Sequence, residues 1–590
     1  HLNRSINVSK LWKLVNHASD KEGTNVPRDE HPMVTAAFQT EMDRKLDSHP
    51  VIKVEHISKT SVTTDISSYF LSGANLQSVK ERAPDEIQAG SFDVVLANHD
   101  DKFSEYVATS LFYNTDYHGS KIRLSLGFVL PDGTTEYSTQ GIGFIDQLLT
   151  DGVNSQVTLR CRDLMWRLMD QLLHVRPADE IPAFNSVNVG NGIISVISTK
   201  PFTTTTQDWT LACTLGGADG VATFSVTGSV SGAQGTATSG TEFTANNGMI
   251  KFEISGGATN WALNDEITFS TNQYPQWDAV NLGEIIWSIL TGYNWGTDTQ
   301  ETWSGLVFDF DSTQSDANTD LDYNEFVTAI DNIDTIGLFD LTGYIPYNTQ
   351  ANEFLQNLLV LVVGSLYVGN DGRIKFSTYI PQFGAITTEF TDAKKITSLS
   401  YNRSIDEVLN SVAVEYLATE TWPWSNASLV LDGIFIKKNA TSITNYKELG
   451  VDFQIPWYTS NGLHVQDFAD KLVTRYGDPP LNIKFMTGMD ALETEIGDRV
   501  LLTDTKMGVT EMPGEVSLVG RSLGQSPRAI QIGLRRDSNT DQQFGFIGSE
   551  ANEGDGLSPQ SDDYDTATDD DKAFAYFGSA ATTEPDYRMF

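Results

Sequence analysis

The residues best suited to chemistry in this chain are its carboxylates, two cysteines, nine histidines and several glycine-rich turns. Asp316-x-Asn318-x-Asp320-x-Asp322 alternates oxygen ligands as a calcium loop does. Such a loop needs glycine at its sixth position for the sharp turn and glutamate at its twelfth to close around the ion. Leu321 and Val327 stand there, so a loop leading into an acid-rich helix start is the better reading. Gly141-Ile142-Gly143-Phe144-Ile145-Asp146 lacks the third glycine of a dinucleotide turn and lies inside a strand pattern. Neither Gly216-Gly217 nor Gly256-Gly257 is followed by the Lys-Ser/Thr of a nucleotide loop. Gly228-Ser229-Val230-Ser231-Gly232 misses the register of a hydrolase nucleophile elbow.

The histidines are far apart, with no His-x-x-x-His or Glu-x-x-His spacing that would place two ligands on one helical face. His56 falls in a strand pattern and reads as a packed or surface residue. Cys161 and Cys213 lie in different units and read as buried thiols, without a disulfide or thiolate-metal framework. Carboxylates are too abundant for any pair to mark a glycosidase. No catalytic, cofactor-binding or metal-binding residue is therefore expected, and no cofactor.

Charge is the strongest compositional signal: 78 acids against 39 bases give a net −39. Free nucleic acid is held by neutralising its phosphates with Lys and Arg, so a DNA-gripping role is disfavoured. A conduit past which DNA slides is compatible with this balance, and so is ordinary solubility or adaptation to salt. The 590 residues, 39% hydrophobic and 10% aromatic, suit several folded, β-rich domains. No run of 18 apolar residues occurs; the longest apolar-rich stretch, Phe354 to Val363, contains polar positions, so no membrane helix is expected. No apolar leader is expected at the start either.

These residues must be positioned by the following elements. Residues 1–45 form an arm with a short helix near Leu11–Val15 and another over Val34–Leu46, docking on a neighbour or on its own subunit. Residues 46–185 form a first β unit. Ile52, Val54 and His56 pair with Val62 to Tyr69, and Leu71 to Glu81 continues the pattern. Phe92, Val94 and Leu96 alternate, as do Ile122, Leu124 and Leu126, and Pro131-Asp132-Gly133 makes a hairpin turn. Tyr137 to Ile145 returns, Val157 to Leu159 closes the set, and Arg162 to Leu173 takes helical spacing, predicting a small barrel or sandwich capped by a helix.

Residues 186–275 turn Gly-, Thr- and Ser-rich, with strands near Trp209, Phe224, Phe252 and Trp261–Phe269: an inserted β-sandwich. Residues 276–395 are mixed α and β, with helices over Leu282–Thr291 and Asn352–Val363. Asn370-Asp371-Gly372 supplies a tight turn between Ser365–Val368 and Arg373–Phe376, with Arg373 facing solvent. Residues 396–540 form a second β unit, with strands over Val408–Tyr416, Ile496–Leu502, Val516–Gly524 and Ala529–Leu534 and a helix over Val465–Tyr476. Residues 541–590 carry 12 acids and read as an acidic tail whose aromatic end, Ala573 to Phe577 and Tyr587 to Phe590, suits docking on a partner.

Four of these stretches carry a resemblance. They are the F-x-V-x-L-x-N-x-D-x-x-F run from Phe92 to Phe103 with the strands after it, the helix plus Asp371-Gly372-Arg373-Ile374-Lys375-Phe376 hairpin, the Leu409–Tyr416 strand, and Ile496-Gly497-Asp498-Arg499-Val500. In this order they resemble the bacteriophage tail hub family of baseplate and tail-tip proteins. The arm, insert and tail lie outside the match.

The resemblance implies a mainly β, multidomain fold with α+β parts: two tube-like β-barrel domains, a mixed middle region and the inserted sandwich. It further implies a virion protein at the tail tip or baseplate. A homotrimer would form a pseudo-sixfold ring joining a sixfold tail tube to a threefold tip, with DNA passing through the lumen without specific binding. The implied partners are the tail tube or distal tail ring, tail-tip fibre or spike proteins and the tape measure protein. Two rival readings are an adhesin that binds host carbohydrate through the insert and a hub with cell-wall hydrolase activity; the second lacks a visible lytic domain.

Overall fold

The computed structural model describes residues 35–42, 50–73, 76–79, 89–113, 117–151, 155–169, 171–173, 182–296, 306–312, 319–336, 340–346, 349–378, 388–393, 399–425, 427–458, 463–521 and 529–536, together with short strands at 576–577 and 587–588. The fold is mainly β, with helices concentrated in the middle region. The Leu11–Val15 helix and most of the acidic tail fall outside the described residues.

The alternation read near the start of the chain builds a seven-stranded sheet, in spatial order 63–65, 50–57, 121–129, 135–151, 156–162, 91–97 and 70–73. Every second side chain of Ser91–Ala97 is buried, and Val94 and Leu96 are wholly so. Helix Ala36–Met42 lies on this unit. Phe38 meets Phe128 edge to face at 5.1 Å, and Thr35 donates from its N and Oγ1 to the Glu136 carboxylate at 2.8 and 2.6 Å. The described part of the arm therefore packs on its own subunit.

A second seven-stranded sheet orders 389–390, 499–504, 509–521, 530–536, 481–487 and 400–403, and Leu76–Val79 joins the free side of 509–521. Leu76–Val79 thus leaves the first unit, where the sequence pattern placed it, and completes the second. The apolar faces of both sheets share one continuous cluster, from Phe38, Val54 and Leu124 to Phe485, Val500 and Leu534. Among the described residues neither sheet closes on itself, so the expected barrels are open sheets. Sharing one core removes the need for closure, because each sheet covers its apolar face with material from the other unit.

The expected helix over Arg162–Leu173 is another correction. Among the described residues of this stretch only Trp166–Met169 is helical, and Leu172–Leu173 runs as a strand paired with Thr349–Gln350. Helices Leu282–Thr291, Tyr323–Ile336, Ala351–Leu361 and Leu463–Tyr476 pack with a five-stranded sheet around a separate cluster centred on Trp287, Leu355 and Phe468.

The insert is a two-sheet β structure with its own core. Five strands, ordered 183–184, 266–271, 207–215, 223–228 and 232–238, face a smaller sheet built on Ile250–Ser255. Trp209, Phe224, Phe252 and Phe269 fill the space between them. Trp261, expected in the last strand, lies before it and makes a bridge to Gly217. The insert meets the rest of the chain through Phe202, stacked on Trp422 at 5.0 Å, and through Thr199, whose N donates to Ser425 Oγ at 3.0 Å.

Candidate functional site

The motifs that look independent in sequence meet in one place. The Asp371-Gly372 turn joins Ser365–Val368 to Ile374–Ser377, and Gly372 takes φ +81°, which a side chain adopts only with strain. Its Cα packs so closely on Ile142 that an added Cβ would lie 2.6 Å from the Ile142 Cβ. The Gly141-Ile142-Gly143 strand and the hairpin turn are therefore in direct contact. Arg373, expected to face solvent, instead bends back onto Asp371 at 3.0 Å and is only partly exposed.

On the same hairpin, Lys375 is almost wholly buried, and its Nζ lies 2.8 Å from Glu495 Oε2 and 3.8 Å from Asp322 Oδ2. The second Glu495 oxygen accepts the Asn370 backbone N–H at 2.8 Å. Glu495 opens the Ile496-Gly497-Asp498 turn of the second β unit. Its own N–H donates to Asp498 Oδ2 at 2.7 Å, and Gly497, at φ +86°, donates to Val516 O at 2.8 Å. Arg521 closes this corner from beneath, donating through Nη2 to the Leu492 and Thr494 carbonyls at 3.1 and 2.9 Å.

Burial opposes charge on Lys375, but Glu495, Asp371 and Asp322 outweigh it and hold the ammonium above the ordinary lysine range. Burial also pulls Arg521 down to about 10, against the carboxylates of Glu495, Glu493 and Asp498. Both groups remain cationic at neutral pH. Five acids, Asp322, Asp371, Glu493, Glu495 and Asp498, thus surround three bases, Arg373, Lys375 and Arg521, in this corner and form a clasp inside the protein.

The calcium-like acids have the same fate. Asp320 binds Arg167 at 3.2 Å and Lys121 at 3.9 Å, and the Arg167 guanidinium lies 4.5 Å over the Phe308 ring. Asp322 faces Lys375. Both described acids of the loop are thus paired with protein cations, while Asp316 and Asn318 lie outside the described residues. Among the described residues no group of three or more His, Cys, Asp or Glu side chains is placed to hold a metal ion.

No protein-family model matches the chain, and no curated protein matches it in sequence. Solved structures similar to it include three tail proteins. The tail protein from Neisseria meningitidis MC58 is 10% identical, with 82% of this chain and 96% of that one covered, at a TM-score of 0.38. Prophage tail protein gp18 from Listeria monocytogenes EGD-e is 9% identical over 83% and 95%, at 0.35. The 43 kDa tail protein of prophage MuSo2 from Shewanella oneidensis is 9% identical over 82% and 98%, at 0.38.

The remaining candidates are structural. His56 is buried, its Nε2 3.0 Å from Ser120 Oγ, but that hydroxyl donates to Tyr117 O at 2.6 Å and is closed off from solvent. Burial lowers the His56 pKa, favouring the neutral ring. Cys161 and Cys213 are free and buried, and burial pushes both thiols up, away from the reactive thiolate. Ser231 donates from its N and Oγ to Gln207 Oε1, so the Gly228–Gly232 run is a pinned turn.

The solvent side of the first sheet carries a ladder of ion pairs: Lys53–Glu55 at 2.6 Å, Arg123–Glu55 at 3.6 Å, Arg160–Asp93 at 3.8 Å and Arg162–Asp146 at 3.0 Å. Sequence reasoning found neither the ladder nor the clasp. Lys375 sits between Ile374 and Phe376, where alternation alone points it to water, and its partner is 120 residues away.

Proposed function

We propose that this chain is a structural protein of a phage tail, the hub of its tip or baseplate. One observation carries the reading: the hub-like stretches, scattered from Phe92 to Val500, come together in a body whose two β units share a core and are locked by the Lys375–Glu495 clasp. Such a body suits a static, load-transmitting joint more than a site that opens to bind and release substrate. In the proposed assembly three copies form a ring that matches a sixfold tube to a threefold tip. Its neighbours are the tube or distal tail ring, the tape measure protein, and fibre or spike proteins. DNA passes through the lumen unbound, and no catalytic step is assigned to the chain.

The paired ladder supports the passive-passage part of this reading. Arg160 and Arg162 each have a carboxylate of their own within 4 Å and Lys53 and Arg123 share Glu55, so three carboxylates offset most of the charge that these four cations would offer a phosphate. Mass measurement in solution tests the ring, with three times the chain mass expected. A stable monomer that also enters purified particles in a number other than three overturns it.

The adhesin reading has one observation of its own. Val187, Val189, Ile193, Val196 and Leu263 on the insert are largely exposed. Isolated insert applied to host cells tests this: saturable binding favours the adhesin, and none leaves the insert as a surface appendage of the hub.

A further inference from the structure

One sheet in the body ends abruptly. Its strands run in the order Gln276–Asn281, Asp340–Tyr344, Gly450–Tyr458, Ser411–Leu417 and Gly433–Lys438. Helix Leu463–Tyr476 covers one face, with Phe468 edge to face on Phe453 at 5.4 Å. Among the described residues no strand pairs with the outer side of Gly433–Lys438. On the uncovered face Ile434 and Ile436 are 62% and 54% exposed, and nearby Val430 is 74% exposed. An open groove of about 460 Å³ beside them is lined by Glu415, Leu429, Leu431, Asp432, Ile434 and Gln454. A bare edge is a template for another strand, and folded proteins normally cover it or blunt it with charge; here Gly433-Ile434-Phe435-Ile436 precedes the two lysines that end the strand.

The chain also holds an incomplete β element with no sheet of its own. Tyr576–Phe577 and Tyr587–Arg588 pair antiparallel as a two-stranded ribbon. A ribbon that small does not stand alone in water; it needs a third strand or an apolar surface. The sequence around it supplies Phe574, Tyr576, Phe577, Tyr587 and Phe590 within an otherwise acidic segment.

The body releases this segment near the bare edge. Its last strand ends at Arg536, and the Arg535 guanidinium lies 5.4 Å over the Tyr476 ring. Tyr476 ends the helix whose Asp470 binds Lys437 of the edge strand at 2.6 Å. Thirty-nine residues separate Arg536 from Tyr576, and a random-coil linker of that length has a root-mean-square span of about 35 Å, enough to return to that edge at high effective concentration.

We propose that the aromatic ribbon at 576–588 adds, within the same chain, to the free edge of strand Gly433–Lys438. Main-chain pairing extends the sheet, and the aromatic residues supply the apolar cover that Ile434 and Ile436 lack. This holds whether or not the chain is a tail hub.

Cysteine pairing in the full chain tests it, because Cys161 and Cys213 are buried and give little background. Ile436→Cys is combined in turn with Ala573→Cys, Ala575→Cys and Gly578→Cys, and Val196→Cys in the insert replaces Ile436→Cys as the control. Mild oxidation should give a fast-migrating, single-chain disulfide in at least one pair, several-fold above the control. Amide exchange at 433–438 needs no cysteine and should be at least tenfold slower in the full chain than in a chain ending at Thr540. Cross-links only between chains would make a second copy's segment the occupant and overturn the proposal. Equal exchange in both chains with no cross-link would overturn it as well, whether the edge is bare or covered by something else.

Discussion

The insert and the body solve the same problem, burying apolar surface, in opposite ways. The insert's core comes wholly from residues between Ile194 and Phe269, and even its most distant strand pair, Ala183 with Thr268, closes within 85 residues. The shared core of the two β units joins Phe38 to Leu534, and its clasp joins Lys375 to Glu495. A locally closed core can form, melt or be lost as a piece. A core assembled from distant segments stands or falls together, because loop closure must precede its contacts. The comparison predicts two unfolding events of unequal sensitivity, and the following changes break or sharpen it.

The largest effect falls on the clasp. Glu495→Leu takes away the closest carboxylate of the buried Lys375 ammonium and leaves it Asp371 and Asp322, which should cost the body about 3 kcal/mol while the insert's transition stays in place. Adding Lys375→Met should recover most of that loss, since two apolar groups replace a compensated pair. Calorimetry with the isolated insert as reference reads both. If the two transitions fall together, the cores are not separable.

Trp422→Ala addresses the seam. Trp422 is buried between Phe202 and Tyr344, with ring centroids 5.0 and 5.6 Å away, so its loss should cost about 3 kcal/mol. The cost should appear as wider separation of the two transitions, with near-ultraviolet dichroism of both cores kept. Gly372→Ala places a methyl against Ile142 at positive φ and should lower only the body, by about 1–3 kcal/mol.

A smaller, pH-dependent effect comes from Asp163. Its carboxyl accepts the Gly90 and Met165 N–H groups at 2.7 and 3.0 Å, yet enclosure pushes its pKa up to about 7. The folded state then holds a proton that the unfolded chain releases near pH 4, so stability from this group falls as pH rises from about 4 to 7. Asp163→Asn should remove that fall. Measured against the unchanged protein, the variant should gain about 1 kcal/mol or more between pH 5 and pH 8 in denaturant titrations. Arg160→Ala, on a solvent-exposed ion pair, should change stability by less than about 0.5 kcal/mol at physiological salt, a control for the whole series.

What could be read from sequence follows the same division. Helix Leu282–Thr291 was legible to the residue because its signals are local. Asn281 accepts the Gly283 N–H at its start, and Gly292 takes φ +78° at its end. The insert's strands at Trp209, Phe224 and Phe252 were legible because alternation alone places them. The stretch after Arg162 was not. Its apolar spacing fits a helix, but the Asp163 carboxylate takes the Met165 N–H, and Leu172–Leu173 finds a strand partner at Thr349–Gln350 that no local pattern announces. Leu76–Val79 failed for the same reason. At the clasp the glycine turns were legible, but the buried charges were not, because a lysine between two apolar residues reads as a surface position until its carboxylate is seen.

The strand Leu76–Val79 also sets a schedule. Its partner Leu518–Arg521 leaves the ribosome about 440 residues later, which at roughly 5–20 residues per second is a wait of about 20–90 s. During that time the early strand has no native neighbour in the second sheet, whereas the insert has everything it needs once Thr271 has emerged. A nascent chain should therefore carry a finished insert on an unfinished body. Anything that shields strand 76–79 during synthesis would govern the yield of the whole protein more than anything acting on the insert.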